Sequence, residues 1–412
     1  MKNQLDSLTS LRWFAAALVL GFHGSGFLYH LHLGPVYDAL QSGPAAVSFF
    51  FILSGFVLTW SYRPAQRATH FWRNRFARVY PSHVATWMVM VPVLMAQHAA
   101  HGGRMGGLSL ILVQAWIPKF KYFFAFNLVA WSLSCEMFFY LCFPALHRVI
   151  AAVTHRTRLM LGLMAVTIAV PALFAGSHSI TSFWFVDLFP PLRLLEFGVG
   201  IALAMEIRAG HWRRVPLLPM LVVSVLLLPA IQHVPFNMRF ASATVVPFTL
   251  LIAAAAAADL EGRWSPLRSR PLVRLGELSF ALYLVHLEVM QGVVALTHYK
   301  AGRAENDFLF WLLLIAASLV AMWLLHTFVE RPFQRLLKAP SAVLERPVVR
   351  DVVGEGVQAE DLVGSVRNGR AVRDERRLPA FPLEPVPHER RNGHERIVEL
   401  ADVHLDEVAA GR

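Results

Sequence analysis

Arg12 and His23 stand eleven residues apart within one apolar stretch, LRWFAAALVLGFH. At about 100° per residue, that spacing is three turns plus roughly 20°, so both side chains fall on one helix face, about 16 Å apart along the axis. Crossing a bilayer, such a helix puts Arg12 near a boundary and His23 near mid-membrane. A cation at the mouth of a pocket and an imidazole at its floor can bind an anion and accept a proton. Each residue also has a plainer reading: Arg12 as a snorkelling anchor, and His23 as a hydrogen-bonded link between helices.

Other ionisable residues lie inside or beside apolar stretches, where they are costly unless they serve a purpose. Arg75 and Arg78, in FWRNRFARVYP, share a face at i, i+3 and suit either a phosphate clamp or a membrane anchor. Glu136, in WSLSCEMFFY, must be uncharged or paired, with Arg12, Arg75 or Arg193 as candidate partners. Arg193 and Glu196, also at i, i+3, can neutralise each other. His286 and Glu288 form a second polar site in LGELSFALYLVHLEVM, and Glu330 ends an apolar block beside Pro332 as a helix-terminal charge. No HExxH, CxxC, Walker A or GxSxG pattern occurs, so no metal is expected; His30 and His32, or His98 and His101, offer at most an incidental pair. Cys135 and Cys142 lie about 10 Å apart along one helix, too far for a disulfide, and read as buried thiols.

The elements that carry these residues follow from composition. Only 16% of residues are charged and 56% are hydrophobic, against about 25% charged in soluble domains. Apolar blocks fall at 11–29, 43–62, 79–98, 126–150, 157–175, 189–206, 215–231, 241–258, 272–297 and 308–329. Most approach the roughly 20 residues that span hydrocarbon. The expectation is an all-α polytopic membrane bundle of about ten transmembrane helices over residues 1–338. The apolar segment 106–117 is too short to count and reads as re-entrant or interfacial.

Arg and Lys divide unevenly between alternate loops: eighteen share a side with the N-terminus and six lie opposite. Both termini are therefore expected in the cytoplasm of a multi-pass cell-membrane protein. The first block lacks a small-residue cleavage site and reads as an uncleaved helix. The net charge of +11 comes from such loop clusters, which argues against nucleic acid as a partner. Residues 339–412 contain one aromatic, Phe381, and no Lys, and read as a disordered cytoplasmic tail.

Seven segments, in order, resemble acyltransferase family 3, a family of integral-membrane proteins. They are LDSLTSLRWFAAALVLGFH, SFFFILSGFVLTW, FWRNRFARVYP, WSLSCEMFFYLCFPAL, RLLEFGVG, LGELSFALYLVHLEV and FVERPF, covering residues 5–335. The resemblance implies transfer of an acyl group from cytoplasmic acyl-CoA to a hydroxyl, usually on a sugar. Acceptors across the family include surface polysaccharides, lipopolysaccharide, nodulation factors and macrolide antibiotics. The resemblance assigns Arg12, His23 and Glu136 to catalysis, and Arg75, Arg78 and His286 to substrate binding. It implies acyl-CoA as the donor substrate, a bilayer and a hydroxylated sugar or glycosylated small molecule as partners, and the stand-alone branch of the family, which includes macrolide acyltransferases. The chain departs from the family pattern at Ser10, where Gly is frequent, at Met137, where a second acidic residue often stands, and at Glu288, where Pro is usual.

Under this reading His23 takes the proton from the acceptor hydroxyl as its oxygen attacks the thioester. A covalent route through Cys135, Ser134 or His23 itself is the variant. The competing reading is a proton-coupled transporter or flippase of a polar substrate, with His23, Glu136 and His286 as a proton relay. No internal repeat of the kind common in transporters is visible. In a third reading, a scaffold for a partner enzyme, none of these groups is needed.

Overall fold

The computed structural model describes residues 5–337 apart from 32, 64–65, 97–102, 213–214, 298 and 300–303. The expected tail, 339–412, lies outside the described residues. In hydrocarbon every backbone N–H and C=O must be paired within the segment, and a long apolar block achieves this as a helix. Among the described residues, ten helices of 14 residues or more overlap the ten expected blocks, and there is no strand. They are α1 (Asp6–Gly24), α2 (Ala45–Ser61), α3 (Ala68–Ala96), α4 (Ala130–Ala152) and α5 (Arg156–Ala172). The second half is α6 (Pro190–Arg208), α7 (Leu217–Ala230), α8 (Ala241–Leu260), α9 (Arg270–Thr297) and α10 (Ala304–Leu325).

Six of these lie in stretches long and apolar enough to cross a membrane, and α2 makes a seventh if counted with the short helix Pro35–Gln41, bent from it by 51°. The other three fall short for visible reasons. α3 is long but carries Arg73, Arg75 and Arg78, while α5 and α7 have only 17 and 14 residues. Within the segment 106–117, the helix Gly103–Leu110 has eight residues, about 12 Å of rise, and the backbone turns away at Leu112 with φ +58°. It does not span, so the even count of helices stands.

Two contacts set the arrangement around the site. α2 packs along α6, and α1 along α9. Both pairs approach backbone to backbone: a Cβ on Gly200 would lie 2.0 Å from the Ile52 carbonyl oxygen, and one on Gly276 1.9 Å from that of Thr9. Small residues at such crossings let helices close when lipid supplies no hydrophobic drive. Phe51, Phe139 and Phe197 interlock α2, α4 and α6 with ring centroids 5.0 and 5.1 Å apart. α7, by contrast, leaves Leu218, Val222, Val225 and Leu226 exposed, an outward face suited to lipid tails.

After α10 the chain widens into a π-helical turn, His326–Glu330, before a last helix, Arg331–Leu337. Pro332 has no N–H to donate four residues back, which removes an α-type bond where the turn widens.

Candidate active site

A cavity of about 350 Å³ lies between α1, α2, α3, α4 and α9. Its wall on α2 runs from Val47 to Ser61, about 21 Å by helix rise. Arg12 enters from α1, Arg75 and Arg78 from one face of α3, and Glu136 and Tyr140 from one face of α4. The sequence spacings explain this convergence: i, i+3 on α3 and i, i+4 on α4 each place two side chains together.

The polar contacts at this end are specific. Glu136 accepts hydrogen bonds from the Ser54 hydroxyl at 3.2 Å and from the Tyr140 hydroxyl. Arg78 lies 3.7 Å from Glu330. Glu330 also accepts from Gln334 at 3.0 Å and pairs with His326 at 2.8 Å. The guanidiniums of Arg75 and Arg78 rest over the rings of Phe71 and Phe280. Arg75 Nε is buried with no hydrogen-bond partner. Three guanidiniums thus face two carboxylates, with a donor to spare, in a setting that favours an anionic guest.

The two histidines form a separate pair. His286 Nε2 and His23 Nδ1 are 3.0 Å apart, joining α9 to α1. Each Nδ1 also meets a carbonyl one turn back on its own helix, Val19 at 3.1 Å and Leu282 at 3.0 Å. Tyr283 connects this pair to the cavity. It lines the cavity wall, its ring centroid is 6.3 Å from that of His286, and its hydroxyl lies 2.6 Å from the Ser132 hydroxyl.

The structure therefore gathers Arg12, Arg75, Arg78 and Glu136 in one cavity and brings His23 to His286 behind it. Tyr140, Ser54, Tyr283, Ser132 and Glu330 join them without having been singled out for the site from sequence. Tyr140 had a signal, its i+4 spacing from Glu136. Glu330 read as a helix-terminal charge; it is instead 2% exposed, because the π turn rotates it inward.

Other expectations need correction. His286 and Glu288 do not form one site: residues two apart on a helix diverge, and the Glu288 carboxylate accepts from Asn127. Arg193 is no partner for Glu136; it pairs with Glu196 at 3.1 Å and donates to Ser48 at 3.0 Å. The Cys135 thiol points to the Leu188 carbonyl, 3.3 Å away. Among the described residues no three His, Cys, Asp or Glu side chains are grouped to hold a metal ion. His32, His98 and His101 lie outside the described residues.

Comparison with known proteins places this geometry. A family model described as an acyltransferase domain matches residues 5–327. The acyltransferase MdmB of Streptomyces mycarofaciens is 39% identical over 377 residues, 84% of this chain and 95% of that protein. Nodulation protein 10 of Rhizobium leguminosarum bv. viciae is 30% identical over 171 residues, 35% of this chain and 44% of its own length. No solved structure matches. With the match running from the start of α1 past the end of α10, the chain belongs to acyltransferase family 3 and is a multi-pass membrane acyltransferase.

Proposed function

We propose that the chain moves an acetyl or short branched acyl group from acyl-CoA to a sugar hydroxyl, on a macrolide antibiotic or a surface glycan. The observation that carries this reading is the lining of the cavity along its length. Three guanidiniums at one end suit the phosphates of CoA, and a passage of about 21 Å along α2 accommodates an extended acyl arm. Beyond Tyr283, at the other end, lies the imidazole pair. Glu136, held by Ser54 and Tyr140, lines the same cavity as the three guanidiniums and offsets part of their charge.

His23 then acts as the general base for the acceptor hydroxyl. Direct transfer is favoured over a covalent intermediate on Cys135 because that thiol is buried and turned towards the Leu188 carbonyl. The loop charges favour both termini in the cytoplasm, so the arginine end opens to cytoplasmic acyl-CoA.

The test is a purified preparation supplied with a panel of acyl-CoA donors and glycosylated macrolides or glycans. Ester product and free CoA thiol should appear in equal amounts. His23→Ala should lower kcat by about 10²–10⁴-fold, the usual contribution of general-base catalysis, with the protein still inserted. Wild-type turnover by that variant would remove His23 from the mechanism. Acceptor movement across vesicles without thiol release would point to transport instead.

A further inference from the structure

His23 and His286, 263 positions apart in the sequence, meet ring to ring, and their hydrogen bonds fix which nitrogen holds each proton. A carbonyl oxygen only accepts. His286 Nδ1, 3.0 Å from the Leu282 carbonyl, therefore carries its hydrogen, and in the neutral ring Nε2 is a bare lone pair. That lone pair faces His23 Nδ1 at 3.0 Å. His23 Nδ1 must then be the donor, shared between His286 and the Val19 carbonyl at 3.1 Å. By elimination, His23 Nε2 is the unprotonated nitrogen, free to act as a base.

We propose that His286 is a positioning residue: the second member of a two-imidazole proton relay that fixes the His23 tautomer and shares the proton His23 removes. The proposal rests on the acyl-transfer reading of this site. The acceptor O–H proton passes to His23 Nε2 while the oxygen forms a C–O bond to the thioester carbon. The Nδ1 proton of His23 shifts along its hydrogen bond towards His286 Nε2, whose nitrogen lies 3.0 Å from His23 Nδ1, spreading the charge over two rings. As the intermediate collapses the C–S bond breaks, the proton returns through His23, and the sulfur leaves as a thiol. The relay ends at His286, because the Leu282 carbonyl beyond it cannot take a proton and the ring is 0% exposed. The proton taken from the alcohol is thus retained and delivered to the leaving sulfur. This differs from a substrate-binding role, which would require His286 to touch a substrate directly.

The experiment compares His286→Phe, which keeps a ring but no acceptor, with His286→Gln, which restores an acceptor oxygen, both checked for normal elution as folded protein. The Phe variant should lose about 10²–10³-fold in kcat with both KM values within about threefold, and the Gln variant should regain at least about tenfold of that. A raised acceptor KM with kcat preserved, or equal losses in the two variants, would overturn the proposal. Nitrogen-15 NMR of histidine-labelled wild-type protein supplies the second readout. Both rings should report protonated Nδ1 and bare Nε2, and a proton on either Nε2 would sink the relay. Because that spectrum needs no substrate, the tautomers can hold even where acyl transfer from CoA fails, which separates the two readings.

Discussion

At the scale of single residues, the cavity divides its arginines by what already occupies them. Arg78 is engaged with Glu330, and Arg12 stands with them, whereas Arg75 Nε has no hydrogen-bond partner. A charge-assisted hydrogen bond is worth roughly 1.5–3 kcal/mol, or about ten- to a hundredfold in affinity. Arg75→Ala should therefore raise donor KM on that scale, with kcat changed only a few-fold, as expected when uniform binding is lost. Arg78→Ala should do the same and also lower the melting temperature, because it leaves the buried Glu330 carboxylate without its cation. Steady-state kinetics beside thermal unfolding in detergent separates the two effects.

At the scale of elements, the His23–His286 hydrogen bond depends on how closely α1 and α9 approach. That closeness comes from Gly276 against the Thr9 carbonyl. Gly276→Ala must push the helices apart, at about 1–3 kcal/mol for overpacking, and should depress both thermal stability and turnover. Gly107→Ala, where a Cβ meets nothing within 4 Å, should leave both unchanged. The ten helices were legible in the sequence because hydrocarbon thickness dictates block length, a local property. So were Arg12, Arg75, Arg78 and Glu136 as costly intramembrane charges. The partnership of His23 with His286, 263 positions later, was not, because no local spacing encodes which helices touch. The burial of Glu330 was hidden for a related reason: it comes from a widened turn at Pro332, and a regular 3.6-residue period predicts another face. Asn127 escaped notice because it lies in the loop before α4, yet it reaches the Leu284 carbonyl at 3.0 Å as well as Glu288.

At the scale of the whole molecule, the charge asymmetry of the loops makes a prediction about sidedness. Arg67, between α2 and α3, belongs to the basic set, while His178, between α5 and α6, lies opposite. Both are exposed. Single cysteines at these positions, in a background with Cys135 and Cys142 replaced by Ala, should differ in reach. A membrane-impermeant maleimide added to intact cells should label position 178 and spare position 67. The reverse pattern would invert the molecule and put the arginine end on the wrong side for a cytoplasmic donor.

That arginine end has a further effect on the proposed cycle. The spent donor leaves with every phosphate it arrived with, so the grip of Arg12, Arg75 and Arg78 is the same before and after the acyl group has gone. Binding of that kind gives no advantage to the transition state. It makes free CoA a competitor of the incoming donor for the empty cavity, so CoA inhibits by raising donor KM.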